Sequence, residues 1–212
     1  MPRPKGARDS DYDQKRAALL ERMTRRIMRR EVARPSLRQL AEAAGVTVPT
    51  LRHYFGGRAE VMTAILEAYR QAGGRRLEML ATPEVPFEES IRQFAFSLLM
   101  AVQMPREVKL GDVFAVSIAE GLLDEKIGPA ALEHIVDPSV DVLQARLRHH
   151  IARGEMIEAD TRAAALMLLS PLLLAILHQQ HMGGATCNPA DLPKMTEELC
   201  AAFIRAYKAP AP

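Results

Sequence analysis

Cysteine is nearly missing from this chain: Cys187 and Cys200 are the two present in 212 residues. Two thiols cannot build the disulfide framework of a small secreted domain, and a reducing cytoplasm is the simplest setting. Long apolar runs are missing as well. The most apolar stretch, residues 163–177, contains Ser170 and Pro171 and falls short of the roughly 20 residues that span a bilayer. It reads as a buried helix, and no membrane partner is expected. Residues 1–11 are polar and basic without an apolar core, so no secretory signal is expected there. There is no glycine-rich phosphate loop, nucleophile elbow or His-Glu-x-x-His pair, so neither an enzyme nor a cofactor is expected. His178 and His181 sit three apart with Cys187 beyond them, and His149 and His150 are adjacent. Zinc asks for three or four converging ligands, and paired cysteines are absent, so these histidines read as surface or interface residues and no metal is expected. Asp137, Asp141, Glu155, Glu158 and Asp160 read as solvated helix ends.

What the chain does have is charge of one sign at one end. Residues 1–76 carry 17 Lys/Arg against 8 Asp/Glu, a net of +9, and residues 77–212 carry 11 against 18, a net of −7. A basic N-terminal third suits a polyanion, and the acidic remainder does not. A chain of this length allows one or two domains and buries about 70% of its unfolded surface.

The most ordered pattern is residues 36–58, SLRQLAEAAGVTVPTLRHYFGGR. Ser36 with Gln39 three residues later has capping-box spacing. Leu37, Leu40, Ala41 and Ala44 follow on one stripe of a 3.6-residue period, and Gly45 supplies the backbone freedom of a helix end. Val46 turns the corner. Thr47 is a second N-cap, and Pro49 falls in the first turn of the next helix, where its missing N–H leaves no bond unmade. Leu51 and Phe55 face inward. Val48, Pro49, Thr50, Arg52 and His53 are left to point outward. A capped helix, a tight glycine turn and a second capped helix make a helix-turn-helix, whose second helix enters the DNA major groove.

Around this unit, residues 12–33 read as a first helix with Leu20, Met23 and Ile27 as its inner stripe. Arg22, Arg25, Arg26, Arg29 and Arg30 crowd its other faces. Residues 1–11 read as a disordered arm carrying Arg3, Lys5 and Arg8. A fourth helix starts near Arg58 with Val61, Met62, Ile65, Leu66 and Tyr69 inside; Gly73–Gly74 end or loosen it. The DNA-binding domain is placed at 12–72 and the second domain at 85–208, the junction marked by Pro83 and Pro86. The second half shows no strand, repeat or low-complexity tract. Its expected helices are 87–104, 107–120, 129–153, 160–182 and 192–207, so the fold class is all-α. Helices 160–182 and 192–207 are apolar on more than one side, which a two-fold four-helix interface between two copies would cover.

The segment AEAAGVTVPTLRHYFGGR resembles the signature of the TetR (tetracycline-repressor-like) family of transcription regulators. Ala41, Gly45, Val46, Thr47, Leu51, Tyr54, Phe55 and Arg58 match it identically or conservatively, within a likeness covering about residues 12–70. Arg52 stands where the family usually has an aromatic, and Arg58 where it usually has Lys. The first helix lacks the usual Phe…Gly ending. The resemblance implies a DNA-binding domain of three helices with the helix-turn-helix, a helical ligand-binding and dimerisation domain, and a homodimer on double-stranded operator DNA. It places Arg38 at a position that can contact a base. Val48, Pro49 and Thr50 can meet thymine methyls, Arg52, His53, Tyr54 and Arg58 suit phosphates and register, and Ser36 and Thr47 complete the DNA-binding set. Phe94, Phe96, Leu98, Met100, Met104, Phe114 and Met167 are the candidate lining of a cavity. With no Trp, few Tyr and no cationic cluster there, its effector is expected to be a small apolar molecule. The expected function is a repressor that its ligand releases from the operator; the alternative is a DNA-binding module whose acidic half docks a protein.

Overall fold

A computed structural model describes residues 5–28, 34–78, 80–104 and 108–210. Among them the chain is all-α, as expected, with one isolated bridge, Met156 to Lys208, in place of any strand. The helices are α1 (Lys5–Ile27), α2 (Leu37–Ala44), α3 (Val48–Phe55), α4 (Arg58–Glu78), α5 (Phe87–Gln103), α6 (Leu110–Leu123), α7 (Gly128–Ala131), α8 (Asp137–Ala152), α9 (Thr161–Gln180), α10 (Gly184–Cys187) and α11 (Leu192–Tyr207). A single π-helical turn, Leu132–Val136, leads into α8.

The chain divides into two compact units, residues 1–69 with 116–131 and residues 70–115 with 132–212. The C-terminal part of α6 and all of α7 thus pack with the N-terminal helices. In this first unit Leu20, Met23 and Ile27 of α1, Leu40, Ala41 and Ala44 of α2, Leu51 and Phe55 of α3, and Val61, Met62, Ile65 and Leu66 of α4 are buried. The periodicity singled out these stripes together with Leu37 and Tyr69, which are half-buried.

Four elements differ from the sequence reading, one of them the expected helix 107–120, which is α6 at Leu110–Leu123. Helix α1 starts at Lys5, so residues 5–11, read as part of a disordered arm, are helical. After Pro4 only Gly6 strongly disfavours a helix here, and Asp11 pairs with Lys15 one turn on at 3.0 Å, a spacing that supports a helix. Residues 1–4, with Arg3, and residues 29–33, with Arg29 and Arg30, lie outside the described residues. Helix α4 runs through Gly73–Gly74 to Glu78. Each glycine costs about 1 kcal/mol in a helix interior, which good helix formers on either side outweigh. The expected helix 129–153 is three elements, because Pro138 has no N–H and is accommodated in the first turn of α8.

The second unit is built on α5, α8, α9 and α11, which contribute Phe87, Ile91 and Leu99; Leu143 and Leu147; Leu168 and Ile176; and Cys200 and Phe203 to one buried cluster. A polar network crosses it. Arg146 of α8 is 3% exposed. Its Nε donates to Ser90 Oγ at 2.7 Å, and its two Nη atoms donate to the Leu80 and Ser90 carbonyls at 2.6 and 3.1 Å. Burial pulls its pKa down to about 10, so it remains a cation at neutral pH. His150, one turn on and buried rather than on the surface, sits 2.7 Å from Ser90 Oγ through Nε2 and 2.6 Å from Glu155 Oε2 through Nδ1. Because Arg146 occupies one lone pair of Ser90 Oγ, the hydroxyl is free to donate to Nε2, and Nδ1–H donates to Glu155.

Burial holds the His150 pKa below its ordinary value, against the opposing pull of Glu155. The native state therefore binds this proton less readily than the unfolded chain. Neutral His150 stabilises the fold fully above about pH 6.5, and that contribution is lost as pH falls through the lowered native pKa. The thermal midpoint of the wild type is expected to fall more between pH 7 and pH 5 than that of His150→Gln, measured by circular dichroism. Parallel curves would remove His150 from the acid sensitivity.

Candidate nucleic-acid interface

The helix-turn-helix forms from caps that close on themselves. Ser36 Oγ accepts from Gln39 N at 3.3 Å while Gln39 Oε1 accepts from Ser36 N at 2.9 Å, a complete capping box. Gly45 closes α2 in the left-handed region at φ 71°, where a Cβ would be strained. Thr47 Oγ1 accepts from Thr50 N at 3.3 Å and begins α3, with Pro49 in its first turn. Leu51 and Phe55 anchor α3 in the core at 0% and 8% exposure, which fixes what the other faces present. Pro49, Arg52 and His53 are exposed, and Val48, Thr50 and Tyr54 are half-buried. On α2, Ser36 is exposed, and the Arg38 side chain, 82% exposed, lies 3.4 Å from Glu42.

Helix α1 supports this surface through contacts that the sequence did not signal. Tyr12 stacks on Tyr54 at 4.8 Å between centroids and meets His53 edge-on at 6.1 Å. The Arg16 guanidinium lies 4.9 Å over the Phe55 ring, a cation–π distance. Arg22 donates to the Ala44 carbonyl at 2.9 Å, satisfying an acceptor at the end of α2. Arg22, Arg25 and Arg26 line an open groove beside Gln39 and Glu42, with Arg25 also paired to Glu21.

Arg58 is arranged differently from its expected role on a phosphate. Its side chain is 19% exposed. Nε donates to the Pro35 carbonyl at 2.8 Å, and Nη1 and Nη2 fork onto the two oxygens of Glu120 at 2.8 and 2.5 Å. Arg34, in the left-handed region at φ 48°, adds a third bond to Glu120 at 3.1 Å. Burial pushes the Glu120 carboxyl up, but the bonds from Arg58 and Arg34 more than offset it, and its pKa lies below the ordinary carboxylate value. Glu120 is 62 residues from Arg58 in sequence, and no local pattern marks it.

The candidate ligand residues separate. Leu98 and Phe114 line an apolar cleft of about 60 Å³ with Val102, Val140 and Leu169, where Ser139 and Ser170 are the polar members. Phe94 is buried in the core at 4% exposure, beneath Arg146 at 5.9 Å, and Phe96 is half-buried against that core. Met100, Met104 and Met167 are 57%, 40% and 59% exposed and stand outside the cleft. Met100 and Met104 share the face of α5 opposite its buried stripe. His178 meets the Gln179 amide at 2.8 Å, Cys187 is exposed, and no three His, Cys, Asp or Glu residues converge on a metal position among the described residues.

The geometry defines an all-α protein with an outward-facing helix-turn-helix at its N-terminal end. No family model matches the chain. A stretch of 125 residues is 29% identical to the HTH-type transcriptional regulator SrpR of Pseudomonas putida, covering 59% of this chain and 55% of the relative. The match therefore spans about half the length of SrpR. Solved structures agree over nearly the whole chain. A TetR-family regulator from Mesorhizobium loti superposes with a TM-score of 0.73 at 18% identity, covering 93% of this chain and 98% of that one. Reduced NemR of Escherichia coli gives 0.68 at 18% identity, covering 93% and 100%. SmeT, the repressor of the Stenotrophomonas maltophilia multidrug efflux pump SmeDEF, gives 0.62 at 21% identity, covering 92% and 91%. The fold is the one these three structures share, the first of them a TetR-family regulator, in keeping with the resemblance carried by residues 41–58.

Proposed function

We propose that the chain is a TetR-type transcriptional repressor: a homodimer that binds double-stranded operator DNA and is released from it by a small apolar ligand. The observation that carries this is α3 itself. Thr47 caps it and Leu51 and Phe55 seat it, so Val48, Pro49, Thr50, Arg52 and His53 are directed away from the core. Ser36, Arg38, Thr47 and Tyr54 complete the DNA-facing set, within a segment of strongly positive charge. The protein is cytoplasmic in this reading.

The dimer rests on α9 and α11. One side of α9 is buried, while Met167 and Leu174 off that side are 59% and 63% exposed, and Met195 of α11 is 46% exposed. Pro171, Ala175, Leu192, Met195 and Leu199 line an open apolar groove there. Helix α9 is also long and apolar enough to cross a membrane, with mean hydropathy 1.6. A second copy covering the same face accounts for that apolarity without a bilayer, since a helix apolar all round must be covered all round.

A specific observation favours a second reading, in which the acidic half, residues 77–212, docks a protein partner instead of a small molecule. The cleft of about 60 Å³ is far below the roughly 300–1,000 Å³ of ligand sites. In the first reading a ligand widens the cleft between α5, α8 and α9. A thermal-shift screen of apolar compounds separates the two: compounds that raise the midpoint and release DNA support the ligand, and a silent screen beside a captured partner supports docking.

Selection of duplexes from a random pool at fixed salt is expected to yield a near-palindrome with half-sites about one helical turn apart. Arg38→Ala is expected to lose about 1–3 kcal/mol of preference for that site over a scrambled duplex. A purified chain that retains no duplex at low salt overturns the reading. Leu174→Glu is expected to convert the dimer to a folded monomer in analytical ultracentrifugation, and an unchanged sedimentation coefficient would move the interface elsewhere.

A further inference from the structure

Arg58 opens α4, and the Pro35 carbonyl immediately precedes the Ser36 cap of α2. The whole helix-turn-helix, residues 36–57, hangs between these two points. One guanidinium joins them, and the carboxylate that holds it belongs to α6. We infer that Glu120 is a positioning residue for DNA recognition: it turns Arg58 and Arg34 inward as a clasp across the entry and exit of the helix-turn-helix, and Arg58 is not a contact to the DNA backbone. This rests on the reading of the chain as a sequence-specific DNA binder and assigns a determinant that reading does not contain.

Geometry separates the clasp from a phosphate contact. Three of the five N–H groups of Arg58 are committed, one of them to a backbone carbonyl that DNA cannot replace. The fork onto Glu120 is bidentate, the arrangement that fixes a guanidinium plane most tightly. Glu120 keeps 6% of its side chain exposed, and a buried carboxylate must keep its partners. Asp124 lies 3.7 Å from Arg34 Nη2 and holds the second arginine to the same side. An arginine released to a phosphate would strand Glu120 in the interior with Arg34 alone.

The test uses the full-length protein and a duplex selected by the wild type. Glu120→Gln keeps the shape and removes the charge. It is expected to bind the selected duplex about tenfold more weakly, with affinity for random duplex and its salt slope unchanged, because non-specific binding needs charge rather than orientation. Arg58→Gln should give the same loss, and the double variant should be no worse than either single one, the signature of one shared interaction. If Arg58 instead holds a phosphate, Arg58→Gln will flatten the salt slope by about 0.9 on both duplexes, and Glu120→Gln will tighten binding; either result overturns the clasp. Should Glu120→Gln not fold, Arg58→Lys keeps the charge without the fork, and full specific affinity in that variant is equally fatal. Hydrogen exchange reads the clasp without DNA: the amides of residues 37–55 should exchange faster in the variants while those of α9 hold their rate. Exchange at the wild-type rate overturns the clasp even in a chain that selects no duplex, an outcome that separately rejects the proposed function.

Discussion

A carboxylate taken out of water must be met by hydrogen bonds and opposite charge, or it gives up its ionisation. Glu120 meets that demand with three bonds from two arginines, and much of the N-terminal unit follows from it. Arg58 cannot serve both oxygens and the Pro35 carbonyl unless α4 starts beside the residue that precedes α2. Arg34 reaches the same carboxylate from a left-handed backbone. The apolar contacts of Leu40, Leu51, Phe55 and Met62 supply the bulk of the burial, but burial is non-directional. Direction comes from the guanidinium fork, whose plane admits one arrangement of the three elements around it.

The second unit uses the same chemistry with the charge reversed. There the buried ion is Arg146, and its partners are two backbone carbonyls and a serine hydroxyl rather than a carboxylate. Leu80 and Ser90 flank the start of α5, so Arg146 ties α8 to the entrance of that helix. His150 extends the network to Glu155 just past the end of α8. Each unit is therefore apolar in bulk with a buried ion bonded across its helices, which restricts how they can slide.

Legibility in the sequence tracked distance along the chain. Ser36 with Gln39, and Thr47 with Thr50, are bonds between residues three apart, so the caps, the glycine turn and the recognition helix could be read from spacing. The inner stripes of α1 and α4 follow from a period that any helix obeys. The Glu120–Arg58 fork joins residues 62 apart, and Ser90 meets His150 across 60. Nothing near Glu120, in the segment Val116–Leu123, distinguishes it from a solvated acid. The methionines misled for a related reason. Composition marked Met100, Met104 and Met167 as cavity lining, but the face on which a side chain falls depends on which stripe of its helix the neighbours cover. The α5 stripe through Phe87, Ile91, Phe94 and Leu99 leaves Met100 and Met104 outside.

Helix α9 has a consequence for how the chain is made. Its buried side packs on α5 and α8, both N-terminal to it, and on α11, which follows it. During vectorial synthesis the docking surface for one flank of α9 has already left the ribosome when Thr161–Gln180 emerges. The flank with Pro171 and Ala175 stays wet until α11 arrives. The order of elements along the chain thus shortens the interval in which a segment of bilayer-like hydropathy is bare on every side.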